Sequence, residues 1–104
     1  MHIQVNTDHH IHGDERLQEV VEEAIHAALG PLEKRLSAVE VHLKDMNADK
    51  GGVDIRATVE ARPEGLRPFG AQHDDTTVAA AGKGAARKMR HRLDHEFGKL
   101  SDKR

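Results

Sequence analysis

Ile3 and Val5 alternate with Gln4 and Asn6, so the chain opens on the period-two pattern of a short, half-buried strand. After a polar stretch from Thr7 to Gly13 the period changes. Leu17, Val20, Val21, Ala24, Ile25, Ala28 and Leu29 recur at steps of three and one, which lays one apolar stripe along a helix. Asp14 and Glu15 suit the positive end of that helix, Gly30-Pro31 stops it, and a further turn from Leu32 to Leu36 continues the stripe. Val39, Val41 and Leu43 then alternate with Glu40, His42 and Lys44 as a second strand. Gly51-Gly52 closes the polar loop after it. Val53, Ile55, Ala57, Val59 and Ala61 alternate with Asp54, Arg56, Thr58, Glu60 and Arg62 as the longest expected strand. Pro63-Glu64-Gly65 turns the chain into a shorter strand from about Leu66 to Gln72. Pro68 cannot donate to a ladder and so argues for an edge position. A helix from about Thr76 ends the pattern, with Val78, Ala81, Ala85, Met89, Leu93, Phe97 and Leu100 on one side. Gly82, Gly84 and Gly98 each weaken it by roughly 1 kcal/mol against Ala. The small residues from Ala79 to Ala86 let it lie close to its neighbour.

The order strand, helix, three strands, helix predicts an α+β fold, a two-layer sandwich of the form β-α-β-β-β-α. A right-handed crossover through the first helix makes strand one parallel to strand two, and the remaining strands form an antiparallel meander. Both helices need apolar surface and the four-stranded sheet has one buried face to offer, so they lie side by side on it. The other face is then wet and carries Glu40, His42, Asp54, Arg56, Glu60 and Arg62. At 104 residues the chain is one domain, residues 1–104.

Composition narrows the chemistry. There is no Trp or Tyr and there are only two Phe, so the core is aliphatic and an aromatic platform for stacking bases is nearly excluded. The absence of Cys removes disulfides, thiolate metal sites and thiol nucleophiles. No long apolar run occurs and the N-terminus lacks the pattern of a signal peptide, so a cytoplasmic protein without a membrane partner is expected. Charge adds more. Residues 83–104 carry eight Lys or Arg against three acids, while residues 1–82 carry eight against fifteen, which sets a segment of net +5 on a body of net −7. Lys83, Arg87, Lys88, Arg90 and Arg92 follow one another without an acid, with His91 among them. Such a run fits RNA held by its backbone and shape; its ordinary reading is a solvated helix face.

Other chemistry has less to stand on. His9-His10-x-His12, flanked by Asp8 and Asp14, has metal-binding residue types, yet neighbours in a loop rarely converge on one ion. A polar loop without metal is expected there. His91 and His95 on the basic helix are better placed to add pH-dependent affinity for phosphate. Ser37 and Ser101 lie in no nucleophile elbow. Asp74-Asp75 read as caps of the last helix, and Gly82-x-Gly84 lacks the rest of a phosphate loop. No catalytic residue, cofactor or small-molecule substrate is expected, and the protein reads as a non-enzyme.

The element order, Ile3-Gln4-Val5, the strand Val39-Glu40-Val41-His42-Leu43, the Gly-Gly turn before a long alternating strand and Lys88-Met89 opening a basic amphipathic half-helix together resemble the short ribosome-hibernation factors. This is the family of hibernation-promoting factor and ribosome-associated inhibitor, also labelled sigma-54 modulation proteins. The resemblance spans nearly the whole chain. It implies a bacterial stress or stationary-phase protein, a monomer off the ribosome, that binds small-subunit rRNA in the channel of tRNA and mRNA and so blocks translation. By position, Lys83, Arg87, Lys88, Arg90, His91 and Arg92 fall on the family's rRNA-facing helix. Where the family commonly has Asp-x-Tyr-Ala-Ala-Ile-Asp, this chain has Thr77-Val78-Ala79-Ala80-Ala81-Gly82-Lys83. The chain ends four residues after Leu100, which points to the short form. The first helix is acidic, with Glu15, Glu19, Glu22 and Glu23 against Arg16, and receives no phosphate-binding role. It would be the contact surface in the alternative reading, a regulatory module that modulates a transcription factor.

Overall fold

Alternating strands and striped helices bury one face each, and the computed structural model, which describes residues 1–47, 52 and 54–102, shows how those faces meet. The elements are β1 (His2–Thr7), α1 (Glu15–Leu29), a 3-10 turn (Gly30–Arg35), β2 (Leu36–Asp45), β3 (Ile55–Pro63), β4 (Phe69–Asp75) and α2 (Val78–Asp102). The sheet order is β1-β2-β3-β4, with β1 parallel to β2 and the other pairs antiparallel, as the crossover and meander require. Register aligns the apolar positions in rows. Val5, Val41, Val59 and Ala71 stand opposite one another in turn, and Ile3, Val39, Ala61 and Phe69 form the next row. These rows meet Val21, Ile25 and Leu29 of α1 and Ala81, Ala85, Met89, Leu93 and Phe97 of α2 in one core.

The ends of several elements differ from the sequence expectation. α1 begins as expected, with Asp14 Oδ1 accepting from the Leu17 N–H at 2.9 Å. Gly30 keeps a right-handed helical conformation, and with Pro31 in its first turn the chain tightens into a 3-10 helix. Leu36 already belongs to β2, which runs ten residues and is longer than β3. β3 is described from Ile55; Gly51 and Val53 of the expected turn and strand lie outside the described residues. Pro63 ends β3 where a turn was expected, opposite Leu36.

The largest shift is in β4, expected over Leu66 to Gln72 and found three residues later. Pro68 therefore stands just before the edge strand, and Asp74 and Asp75 are its last ladder residues, opposite Arg56 and Ile55. They do not cap α2. Thr77 does, its Oγ1 accepting from the Ala80 N–H at 3.0 Å, and the helix starts at Val78. The competing interaction is a bidentate pair: Arg56 Nε and Nη2 donate to the two Asp74 oxygens at 2.8 and 3.0 Å.

Small residues bring the helices together. Gly82 faces Ala24, and further along Arg90 Nη1 donates to the Ala28 carbonyl at 3.0 Å. The contact positions advance in the same direction along both helices, so α1 and α2 run parallel. Gly84 leaves the room that the His73 ring of β4 fills.

Candidate nucleic-acid interface

α2 buries Ala81, Ala85, Ala86, Met89, Leu93 and Phe97, so at 3.6 residues per turn its opposite side must face water. Lys83, Arg87 and His91 lie on that side at steps of four and are exposed. Among the described residues neither Lys83 nor Arg87 has an acid within ion-pairing distance. Lys88 and Arg92 sit on the flank toward β4. Lys88 Nζ donates to the Gln72 carbonyl at 3.1 Å, and Arg92 Nε lies 3.5 Å from Glu96. His95 is exposed on the same flank.

Arg90 differs from the other cations of the run. It lies on the flank toward α1, half-buried, with Nε donating to both Asp94 oxygens at 3.0 Å and Nη1 to Ala28 in the last turn of α1. That carbonyl is one of those a helix end leaves without an intrahelical partner, and a cation there also suits the helix dipole. The guanidinium thus clasps two helices. The sequence placed Arg90 with its neighbours because it lies off the apolar stripe; only the position of α1 separates it.

Two open grooves flank α2. One, of 680 Å³, runs along α1 over Val20, Ala24, Ala27, Ala28 and Ala79 and is rimmed by Glu23, Lys83, Arg87 and Arg90. The other, of 670 Å³, runs along β4, with Gly70 and Ala71 as its floor and Arg87, Lys88, His91, Arg92 and His95 as its wall. Among the described residues no acid lines the second groove. Both Phe residues carry guanidinium groups: Arg35 lies 3.6 Å from the Phe97 ring centre, while Arg92 and Arg67 lie 4.8 and 5.7 Å from that of Phe69. Sequence reasoning passed over Arg35 and Arg67, which stand outside the basic run; an Arg two residues from the Phe of an edge strand was the signal for the latter.

The wet face of the sheet carries balanced pairs. Arg62 reaches Glu60 at 2.8 Å and Glu40 at 3.6 Å, and His42 lies 3.4 Å from Glu40. The Arg56 guanidinium holds the Asp74 carboxyl below the usual carboxylate range, and Asp74 in turn raises Arg56. Asp75 is lowered by the Thr76 N–H and by His73, whose Nε2 lies 3.2 Å away. The histidine loop is organised by Asp8. Its Oδ1 accepts from the His10 and Ile11 N–H groups and its Oδ2 from that of Asp45. Burial works to raise the Asp8 carboxyl, but those donors outweigh it and the net shift is downward. The His9 and His10 rings lie 4.0 Å apart, and His12 lies 3.8 Å from Asp14. Among the described residues no group of three or more His, Asp or Glu is placed to hold a metal. No helix there is long and apolar enough to cross a membrane.

Fold and surface together define a two-layer α+β domain that presents one cationic helix. The chain belongs to the family described as Sigma 54 modulation protein / S30EA ribosomal protein, whose pattern it matches over residues 3–101. Its fold is similar to that of a ribosomal subunit interface protein from Coxiella burnetii, with a TM-score of 0.78 and 15% identity over 94% of this chain and 99% of that one. It is also similar to the Protein Y N-terminal domain of Thermus thermophilus, with a TM-score of 0.69 and 15% identity over 91% of this chain and 98% of that one. Comparison with curated proteins gives no match.

Proposed function

We propose that this protein is a ribosome-associated hibernation factor that binds small-subunit rRNA in the tRNA and mRNA channel and blocks translation under stress or in stationary phase. The observation that carries the reading is the outward row Lys83, Arg87 and His91, with Lys83 and Arg87 unpaired among the described residues, on a helix of a chain in the S30EA ribosomal protein family. The mechanism is steric. A rigid helix offers cations to phosphates, charge draws the domain into a channel walled by RNA, and the folded body then occupies the space that tRNA and mRNA need. Lys83, Arg87, Lys88, His91 and Arg92 make the phosphate contacts, and Arg90 joins them at the edge while holding α2 against α1. No step is catalytic and no cofactor takes part. The protein acts in the cytoplasm as a monomer until it meets the ribosome.

Sedimentation of lysate from starved cells tests this. The protein should travel with small subunits or whole ribosomes, and Lys83→Glu with Arg87→Glu should move it to the top of the gradient while its circular dichroism stays unchanged, because both side chains lie off the buried face. Normal comigration of the double variant would remove α2 as the contact surface. Absence of the wild-type protein from the ribosomal fractions would favour a regulatory module that uses the acidic side of α1, where Glu19 and Glu23 are exposed.

A further inference from the structure

We infer that Arg67 of the β3–β4 turn and Arg92 of α2 form a phosphodiester-binding pair at the groove between α2 and β4, and that this groove holds the backbone of a single RNA strand. The inference rests on the reading of α2 as the rRNA-facing helix and adds a second element to the interface. Its anchor is Phe69, only 4% exposed and fixed in the core, with one guanidinium at 4.8 Å and the other at 5.7 Å from its ring centre. A guanidinium stacked on a ring keeps its N–H edge free for a planar or tetrahedral anion and has lost part of its rotamer freedom in advance. Two like charges gathered on one ring repel each other, and an anion between them relieves that repulsion.

The groove beside them suits a sugar-phosphate backbone. Its floor is the Gly70 backbone and the small side chain of Ala71, which stands opposite Val59 on the helix-covered face of the sheet. Among the described residues its wall offers Arg87, Lys88, His91 and His95 and no acid. The Glu96 side chain is 17% exposed and lies 3.5 Å from Arg92 and 3.6 Å from Lys99. Among the described residues Arg67 has no acid within ion-pairing distance. Burial of the Phe69 ring edge alone would need no second guanidinium on it.

Binding to purified bacterial small subunits across about 50 to 300 mM salt separates the outcomes, since each phosphate contact adds nearly one unit to the log-log slope. Arg67→Gln should weaken binding several-fold and lower the slope by about one unit, with an unchanged melting temperature. His95→Glu, which places an acid on the exposed wall of the groove, should weaken binding at least as much. Arg62→Gln on the opposite face of the sheet should do neither. Wild-type affinity and slope in Arg67→Gln and His95→Glu, with Lys83→Glu and Arg87→Glu still abolishing binding, would overturn the pair and leave the reading of α2 standing. An equal loss in Arg62→Gln would also overturn it, by showing that any lost cation counts. Failure of the wild-type protein to bind small subunits at low salt would overturn both.

Discussion

Gly84 and Gly98 look alike in the sequence, two glycines inside one amphipathic helix. A side chain at Gly84 would overlap the His73 ring, whereas one at Gly98 would meet nothing. Gly98→Ala should therefore stabilise the protein by roughly 0.4–1 kcal/mol through the unfolded chain and helix propensity. Gly84→Ala gains the same propensity but displaces His73 from Asp75, and overpacking of this kind costs about 1–3 kcal/mol, so the net effect should be a loss. Urea unfolding of the two variants checks the opposite signs. His73→Ala added to Gly84→Ala should recover most of the loss by emptying the space. The sequence showed that close packing must justify glycines here. It set Gly84 in the small-residue stretch Ala79 to Ala86 but did not show its partner, because His73 reaches α2 only through the ladder position of β4.

At the scale of elements, single charged side chains fix how one piece meets the next. Arg90 ties α2 to the last turn of α1, so Arg90→Gln should lower the melting temperature while most binding to small subunits survives at low salt. A variant that kept its melting temperature and lost binding would make Arg90 chiefly a phosphate contact and not a tie between the helices. Arg56 and Asp74 tie the edge strand β4 to β3 in the same way. The folded Asp74 carboxyl lies below its reference value of 3.8, so its contribution is fully present above that value and is lost as pH falls through the folded one. Asp74→Asn should therefore destabilise the protein near neutral pH and lose that penalty in strong acid, which urea midpoints measured from about pH 2 to pH 7 would show. Reading Asp74-Asp75 as helix caps was reasonable from composition and the adjoining helix. What overrode it was Arg56, eighteen residues earlier in sequence and directly opposite once β3 and β4 pair.

The whole molecule carries opposite charges on different parts, net +5 in residues 83–104 and −7 before them. Lys83, Arg87, Lys88 and Arg92 repel one another on one helix, so any polyanion that binds the folded form should stabilise it by linkage. Polyuridylate at low salt should raise the melting temperature, and the shift should vanish in about 1 M salt, where the Debye length falls to about 3 Å. A shift that persisted in high salt would mean binding by something other than charge. The sequence by itself determined the element order, the parallel crossover, the faces that pack, the wet and mixed-charge side of the sheet and the cationic stretch of α2. Those follow from periods of 2 and 3.6 and from residue type, which act over a few neighbours. Tertiary structure alone decided that β4 begins after Pro68, that Thr77 caps α2, that Arg90 is taken up by α1, and that Arg67 joins Arg92 at Phe69. Arg56 claims Asp74 across a strand pair and leaves the cap to Thr77, while Arg90 and Arg92 find Ala28 and Phe69 on other elements, and local periodicity carries no information about partners so distant in sequence.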